Sequence, residues 1–480
     1  MKRIISLFIA LTTITLVYSQ TESLQKFVND PALKHASVGV MVTDLKTGKT
    51  IASHNADKSL TTASIMKLVT TAAALELFGP DYRYKTIIAL DKENTNKILV
   101  IGSGDPTLGS ESFDNQSRDF LSEWANNITS RLATKNNWNL YVVDNLFGYA
   151  GVSPEWTWID MGNYYASGAY GISVFDNTYR LYFDTTNKNG RADIIKTEPE
   201  IKGLKFTNYL TLNKNGSDNG FIYGAPFSYE RSVRGNIPAD RKEFSIKGDI
   251  PDPGMTLGIE LSKTLKSKGI NIVSVKTAQE DYIAQLDGTF AVPPYSIGEI
   301  LYEHRSQPLR DIIREVNVQS NNHYTEHLIR TIGRKINPDI YSDALQEGID
   351  YVYRFLKARN IRTESLFLHD GCGLAPQDAA SPGFFCNLLT YMYNSSNNSK
   401  TYFASLPKAG EPETTLQNFM NGTKYEGKIA AKSGSIGGVQ CFAGYLIDGN
   451  KKYAFTIMVN KFNGTRTQVR SAIEKYLESL

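Results

Sequence analysis

The sequence is poor in cysteine: Cys372, Cys386 and Cys441 are the three such residues among 480. No C-x-x-C pair occurs, so a zinc–thiolate site is not indicated, and the odd number prevents complete pairing in disulfides. One disulfide could form in an exported protein, but the pattern favours three small buried side chains. The cysteines therefore give no sign of a metal site, and we expect no cofactor.

A strong net charge and long apolar runs are also missing. Lys and Arg number 52 and Asp and Glu number 49, which gives a formal net charge of +3. Such a balance gives no support for nucleic acid or an anionic membrane as a partner. Beyond the N-terminus, no uninterrupted apolar run reaches about 18 residues, the length that can span a bilayer. We expect at most peripheral membrane association, and the oligomeric state stays open.

The N-terminal 1–20 segment has the pattern of a secretory signal peptide. Lys2 and Arg3 form a basic start, Ile4 to Val17 is apolar, and Ser19 ends a plausible cleavage site before Gln20. The apolar part is too short to span a bilayer comfortably. The alternative is a buried first helix. We predict that the segment is removed and that the mature protein is exported.

Length and texture predict several domains. A chain of 480 residues, 41% hydrophobic and 21% charged, supports two or three domains with a sizeable core. Strand and helix patterns occur at both ends. The middle is rich in strands, turns and aromatic residues. We predict one domain formed by residues 21–84 and 290–480, interrupted by an insertion at 85–289 that contains a nested segment near 150–245.

The helical patterns are the most regular part of this reading. Helical periodicity is expected over residues 296–333 and 340–360, and again from Gln468 to the C-terminus. A further helix is expected to begin near Ser64, where Ala, Met and Leu dominate and Gly and Pro are absent. On such a helix Ser64 and Lys67 are three apart and share a face.

Three short motifs carrying nucleophilic or basic side chains follow one another along the chain. They are Ser64-Ile65-Met66-Lys67, then Ser320-Asn321-Asn322, then Lys432-Ser433-Gly434. They match the S-x-x-K, S-x-N and K-[ST]-G set of penicillin-binding proteins and serine β-lactamases. Their predicted contexts are a helix start, a break between helical segments and a strand edge.

Each motif alone is weak, because each occurs a second time. The tetrad from Ser23 to Lys26 is another S-x-x-K, and the triad from Ser217 to Asn219 is another S-x-N. Lys46-Thr47-Gly48 is a literal K-T-G within a predicted hairpin turn. The order of the three motifs, together with the right element under each, makes a chance match improbable.

The residue types suit acyl transfer, which needs a nucleophile, a base, a proton relay and an oxyanion site. Ser64 is the expected nucleophile, and a neutral Lys67 can accept its proton if burial or the charge of Lys432 lowers the pKa. Ser320 can relay protons to the leaving amine, and Asn322 can hydrogen-bond a substrate amide.

The third motif is expected to hold the substrate. Lys432 and Ser433 can bind a substrate carboxylate or assist the relay, and Gly434 allows close backbone approach. The backbone N–H groups of Ser64 and Ser435 are the expected oxyanion site.

Beyond the motifs, the chain resembles the D-alanyl-D-alanine carboxypeptidase/endopeptidase family, the low-molecular-mass class C penicillin-binding proteins, from about residue 35 to the C-terminus. The resemblance rests on the separation of 256 positions from Ser64 to Ser320 (320 − 64), which implies a long insertion, and on five further stretches. These are Gly104 to Leu108, Trp156 to Asp160 with Tyr164-Tyr165, Ser306 to Leu309, Asp370 to Leu374, and Ala443 to Tyr445.

The resemblance implies an α/β (α+β) fold: a transpeptidase-like domain with a central antiparallel sheet flanked by helices, interrupted by two smaller inserted domains. It implies hydrolysis of D-Ala–D-Ala termini or D-Ala–diamino-acid cross-links in peptidoglycan, inhibition by β-lactam antibiotics, and a periplasmic or envelope location in a bacterium. It also suggests that Asp160 approaches the amine of the substrate's diamino acid. Thr62, Ser433 and Cys372 depart from the family's usual Pro, Thr and Ser.

Two rival activities are compatible with parts of the sequence. His323, Glu326 and His327 form a literal H-x-x-E-H, the inverted zinc-protease motif. A serine β-lactamase would use the same acylation but needs a means of rapid deacylation, and no glutamate motif compels that reading. The large insertion favours the D,D-peptidase.

Overall fold

In a computed structural model of the protein, the described residues are 21–113, 118–132, 137–148, 150–187, 190–284 and 295–480. The predicted signal peptide lies outside these residues and stays a prediction. Among the residues described, no helix is both long and apolar enough to cross a membrane.

The strands are mostly short segments rich in β-branched and aromatic residues, as pleated, half-buried surfaces favour. In chain order they are β1 Ser37–Asp44, β2 Thr50–His54, β3 Leu60–Thr61, β4 Lys85–Asp91, β5 Lys97–Ile101, β6 Asn137–Val143, β7 Thr178–Asp184, β8 Asp193–Glu198, β9 Lys205–Asn208, β10 Thr211–Asn213, β11 Phe221–Tyr223, β12 Glu230–Arg234, β13 Asn236–Pro238, β14 Phe244–Asp249, β15 Asn271–Thr277, β16 Ile297–Arg305, β17 Ala379–Ala380, β18 Ile429–Ile436, β19 Val439–Asp448 and β20 Lys451–Asn460.

Several helices begin at a capping side chain followed by proline, as at Asp252-Pro253 and Ser381-Pro382. In chain order the helices are α1 (residues 21–28), α2 Lys67–Phe78, α3 Asp119–Thr129, α4 Pro253–Ser267, α5 Ala278–Ala284, α6 Leu309–Gln319, α7 Asn322–Ile336, α8 Ala344–Lys357, α9 Pro382–Asn394, α10 Ser399–Ser405 and α11 Arg466–Glu478. Short 3-10 helices occur at Pro31–Leu33, Ala63–Met66, Tyr164–Ala166 and Phe175–Asn177.

The chain divides into two compact units. Among the described residues, the first unit contains those within 21–80, 310–321 and 349–480, and the second contains those within 81–309 and 322–348. The first unit is therefore assembled from both ends of the chain and a short central segment. Described residues within 81–309 and 322–348 group together in the second unit. The predicted limits, 21–84 and 290–480 with an insertion at 85–289, stay a prediction.

The first unit is built on an antiparallel five-stranded sheet in the order β18-β19-β20-β1-β2. One face buries Val40 and Val42 of β1 against Ile473 and Leu477 of α11. On the other face, a Cβ at Gly39 would lie 2.8 Å from the Pro382 ring, so the glycine lets α9 approach closely. This central antiparallel sheet with helices on both faces confirms the predicted fold class.

The larger sheet of the second unit is mixed and has the order β15-β6-β5-β4-β16. Strands β15, β6 and β5 are parallel, while β4 and β16 are antiparallel to their neighbours. Helices α3 and α4 contribute Trp124 and Leu261 to the buried apolar cluster of this sheet. Smaller sheets, β14-β7-β8, β11-β12-β9 and β10-β13, share a second buried cluster.

Two local expectations were wrong. Ile297–Arg305 is strand β16 rather than helix, because it pairs with β4 along the edge of the mixed sheet. Ser64 lies in the 3-10 turn Ala63–Met66, and the α-helix begins only at Lys67. The three cysteines are free, buried thiols, as the sequence favoured.

Candidate active site

Ser64 and Lys67 meet at the start of the buried helix α2. The Lys67 amine donates to the Ser64 hydroxyl at 2.8 Å and to the carbonyl of Cys372 at 2.7 Å. Lys67 is fully buried. The side-chain contact and the carbonyl together fix the amine beside the hydroxyl, which is the geometry of a nucleophile and its base.

Ser320 and Lys432 form a second hydroxyl–amine pair in the first unit. The Lys432 amine donates to the Ser320 hydroxyl at 2.9 Å and to the Ser433 carbonyl at 2.7 Å. Lys432 is fully buried. Burial, and secondly the charge of Lys67, hold the pKa of Lys432 well below its ordinary value. The two pairs are therefore electrostatically coupled, and loss of a proton is favoured at this site.

Strand β18 carries the third motif along the edge of the five-stranded sheet. A Cβ at Gly434 would lie 2.7 Å from the Thr62 carbonyl oxygen and 3.1 Å from the Ser64 nitrogen. Glycine is therefore needed where the strand passes the turn that carries Ser64. Ser435, next along the edge, is exposed, and its hydroxyl accepts a hydrogen bond from Arg466 of α11.

Unusual backbone conformations occur beside both hydroxyls. Ala63, immediately before Ser64, has φ of 45°, and Ser320 itself has φ of 61°. Non-glycine residues in this left-handed region carry strain that surrounding structure must hold in place, and such residues cluster at active sites. Here the strained residues set the directions of the Ser64 and Ser320 side chains.

A tight loop centred on Asp370 supports Lys67. The buried Asp370 carboxylate accepts from the backbone N–H groups of Cys372 at 2.8 Å, Leu374 at 3.0 Å and Ala375 at 2.8 Å, and from that of Gly373 at 2.5 Å. These bonds wrap the loop around the carboxylate and so fix the Cys372 carbonyl that receives the Lys67 amine.

Gly373 brings that loop against the turn that carries Ser64. Its φ is 80°, and a Cβ there would lie 2.0 Å from the Ala63 carbonyl oxygen. Only glycine suits both the conformation and the space. The Asp370 loop therefore contacts the site twice, once at the strained Ala63 and once at the amine of Lys67.

The two other predicted site residues belong to the second unit. Asn322 is the first residue of α7, and its amide donates to the Tyr165 carbonyl at 2.8 Å. Asp160 accepts from the Thr157 hydroxyl at 2.5 Å and is largely buried. Burial, followed by the charge of Asp160, raises the pKa of Tyr165. The roles of Asn322 and Asp160 toward substrate stay predictions.

The H-x-x-E-H stretch is engaged in structural contacts. Both ring nitrogens of His327 have partners, with Nε2 at 2.8 Å from the Ser173 hydroxyl and Nδ1 at 3.1 Å from the Gly104 carbonyl. Glu326 accepts from Arg330 at 2.6 Å. Burial lowers the pKa of His323 to about 3. A pair of zinc ligands needs a free nitrogen on each ring, which His327 does not offer.

Two residues that contact the site, Asp370 and Arg466, were not predicted individually from the sequence. Asp370 belongs to a family stretch, but nothing in its spacing shows that it accepts backbone N–H groups beneath Lys67. Arg466 lies at the start of α11 and reaches the Ser435 hydroxyl from the exposed side of β18. An arginine beside the third motif can bind a carboxylate, yet no short motif links Arg466 to Ser435.

Comparison with known proteins relates nearly the whole chain to the family that the sequence resembles. A profile of the D-Ala-D-Ala carboxypeptidase 3 (S13) family matches residues 20–480. The D-alanyl-D-alanine carboxypeptidase of Actinomadura sp. (strain R39) is 27% identical over 92% of this chain and 81% of its own. D-alanyl-D-alanine carboxypeptidase DacB of Haemophilus influenzae is 21% identical over 89% of this chain and 86% of its own.

A solved structure supports the fold. Penicillin binding protein 4 (dacB) from Haemophilus influenzae has a TM-score of 0.77 at 18% identity, covering 95% of this chain and 97% of that one. The same protein in complex with a β-lactam has a TM-score of 0.72 at 17% identity, with the same coverage. At this identity the likeness concerns the fold.

Proposed function

Because the chain belongs to the D-Ala-D-Ala carboxypeptidase 3 (S13) family, we propose that Ser64 is the nucleophile of a serine D,D-peptidase that acts on peptidoglycan. The observation that carries this assignment is the 2.8 Å contact between the Ser64 hydroxyl and the buried amine of Lys67. The 2.9 Å contact between Ser320 and Lys432 supplies the second half of the site.

The proposed reaction has two steps. Ser64 Oγ attacks the carbonyl carbon of the penultimate D-Ala while its proton passes to the neutral form of Lys67. Ser320, bonded to Lys432, relays a proton to the departing amine as the C–N bond breaks, leaving an ester on Ser64. Water then attacks the ester, gives one proton back through the same groups, and frees the serine and a new carboxylate.

The substrate-binding roles follow the predicted ones. Asn322 hydrogen-bonds the substrate amide, Ser433 and Gly434 line the strand edge, and the N–H groups of Ser64 and Ser435 receive the oxyanion. Asp160 contacts the amine of the diamino acid. The leaving group is either a terminal D-Ala or the diamino-acid side of a cross-link. Penicillin acylates the same serine. The protein is exported to the periplasm, a proposal that the signal-like pattern of the N-terminus supports.

The test is labelling with fluorescent penicillin, followed by mass spectrometry of digested muropeptides. Ser64→Ala is expected to abolish labelling and release of D-Ala. Ser23→Ala is the matched control, since it removes the serine of the other S-x-x-K tetrad. Labelling retained in Ser64→Ala, or lost in Ser23→Ala, would place the nucleophile elsewhere. Rapid turnover of penicillin would instead favour a β-lactamase.

A further inference from the structure

An aromatic row lies on the outward face of the small sheet β11-β12-β9 in the second unit. The inward face of this sheet buries Ile222, Val233 and Phe206. On the outward face, Arg234 of β12 lies beside Tyr209 at one end of the sheet. Tyr223 of β11 lies diagonally across from Arg234. The sheet therefore separates a hydrophobic core from a flat surface that carries large side chains.

The side chains of this surface touch one another. The Arg234 guanidinium lies 5.1 Å from the centre of the Tyr209 ring and 5.9 Å from that of Tyr223. The Trp158 ring centre is 6.4 Å from that of Tyr223. We call Trp158, Tyr223, Arg234 and Tyr209 the aromatic row. Cation–π contacts and ring contacts fix these otherwise mobile groups relative to one another.

The aromatic row is also unusually exposed. Trp158 is 62% exposed and Tyr209 is 58% exposed, and Arg234 is exposed between its tyrosines. Burying aromatic rings is the ordinary outcome of folding, so a group of ordered rings left in water marks an interaction surface. Backbone pairing keeps the surface flat, because Tyr209 N–H continues the ladder by donating to the Val233 carbonyl at 2.8 Å.

We propose that the aromatic row binds the glycan strand of peptidoglycan, an inference that rests on the proposed function for the identity of the polymer. Sugar rings present flat C–H faces that stack on aromatic rings, and their hydroxyl and acetamide oxygens accept hydrogen bonds from arginine. Tyr223 and Tyr209 lie two strand spacings apart across the sheet and two residues apart along it, about 12 Å between their Cα atoms, which suits two different sugars of a chain rather than a single one.

The charge of the surface favours this occupant. Arg234 supplies donors without a strong cluster of like charge, as an uncharged polysaccharide requires, and Ser232 and Thr207 share the same outward face of β12 and β9. The aromatic row also starts two positions before Asp160, the residue predicted to bind the peptide. A glycan strand bound to the aromatic row would keep the enzyme attached to peptidoglycan while the peptides are cleaved.

Two measurements test the proposal: cosedimentation or titration with peptide-free glycan strands, and D-Ala release from a sugar-free peptide ending in D-Ala-D-Ala. The double variant Tyr209→Ala/Tyr223→Ala is expected to bind the glycan roughly tenfold more weakly, from the loss of two ring contacts. Its D-Ala release from the sugar-free peptide is expected to be unchanged. Tyr209→Phe/Tyr223→Phe should keep the binding, because stacking needs the ring rather than the hydroxyl.

Controls separate the outcomes. Tyr341→Ala removes a tyrosine that is 51% exposed elsewhere in the second unit and should leave both measurements unchanged. If the double variant fails to fold, Arg234→Gln replaces it and should weaken glycan binding alone. Equal glycan binding by wild type and variants, or binding of wild type to whole sacculi but not to peptide-free glycan, would overturn the proposal. A wild-type protein that binds glycan but releases no D-Ala would refute the proposed function instead.

Discussion

Two buried arginines of the second unit, Arg231 and Arg330, face carboxylates, whereas the buried amine of Lys432 in the first unit faces uncharged oxygens. Arg330 donates to Glu326 at 2.6 Å and Arg231 to Asp249 at 3.2 Å, and all four side chains are almost completely buried. Lys432 donates to a hydroxyl and a carbonyl. Burying charge costs free energy in both units. Of these cations, only Lys432 can reduce that cost by releasing a proton.

This difference between buried arginines and a buried lysine distinguishes a structural role of charge from a chemical one. A guanidinium keeps its proton at any ordinary pH, so a buried one stays charged and needs acceptors: carboxylates for Arg231 and Arg330, and carbonyl and hydroxyl oxygens for Arg334. A lysine amine can become neutral, and burial among uncharged groups lowers its pKa toward the range where it exchanges protons. The two arginine pairs thus keep their charges compensated, while the buried Lys432 is held in a form that loses its proton easily, as the proposed catalytic role requires.

The largest effect is expected from Lys67→Ala. Losing the group that accepts the Ser64 proton should slow penicillin acylation by roughly a thousandfold or more, while the melting temperature changes little in comparison. The measurement is the acylation rate under single-turnover conditions. Lys26→Ala is the control, because Lys26 belongs to the other S-x-x-K tetrad and is exposed. Near-wild-type acylation by Lys67→Ala would remove this lysine from its role.

Arg231→Met tests the structural side of the comparison. It leaves the buried Asp249 carboxylate without its guanidinium and should lower the free energy of unfolding by about 3 kcal/mol. Burial already raises the pKa of Asp249 to about 6, against the lowering effect of Arg231. Because the variant raises that pKa further above the unfolded value, its loss of stability should be largest near pH 7.5 and shrink toward pH 4.

Urea unfolding of Arg231→Met at several pH values measures this loss. Arg180→Met is the control, since the ion pair of Arg180 with the exposed Glu111 should contribute less than about 1 kcal/mol. Equal losses in both variants would contradict the distinction between buried and exposed pairs.

Asp370→Asn tests whether the loop beneath Lys67 serves the chemistry. The amide keeps the size of the carboxylate but weakens its bonds to the backbone N–H groups, so the Cys372 carbonyl should no longer fix the amine. We expect acylation to slow about tenfold, with a changed pH profile of the acylation rate. Asp378→Asn is the control: this carboxylate is also buried and accepts from His369 N–H at 2.7 Å. A loss of stability without any change in the pH profile would assign Asp370 a purely structural role.

The smallest effect is expected in the stability of Lys432→Met. The folded pKa of Lys432 lies below its unfolded value, so the unfolded chain binds more protons at neutral pH and the fold carries a cost. That cost disappears as the pH rises toward about 10.4, the unfolded value. We expect the inactive variant to melt a few degrees higher at pH 7, with a smaller difference at pH 9.5. Lower melting at pH 7 would contradict the comparison.

The sequence predicted the reactive side chains of the site better than the residues that hold those side chains in position. Ser64, Lys67, Ser320 and Lys432 could be found because acyl transfer dictates residue types, and the structure brings these four side chains together in the first unit. Asp370 could not be assigned, because its partners are backbone N–H groups, which a sequence does not distinguish.

The errors in the fold have similar physical causes. Ile297–Arg305 forms an edge strand whose partner lies far back in the chain, so local periodicity could not identify it. The 3-10 turn at Ala63 depends on the contact of its carbonyl with Gly373, which only the tertiary structure supplies. The central antiparallel sheet with flanking helices was implied by the family resemblance, and this fold class is confirmed.

The pairing of β1 with β20 has a consequence for biosynthesis. Ser37 pairs with Asn460, so the first strand of the central sheet acquires this neighbour only when almost the whole chain has been synthesised. Most of the second unit, by contrast, is continuous in sequence and can fold while translation or export continues. The turn that carries Ser64 therefore lacks its neighbouring strand β18 until late in synthesis, so we expect a nascent chain to show no D,D-peptidase activity before that strand is made.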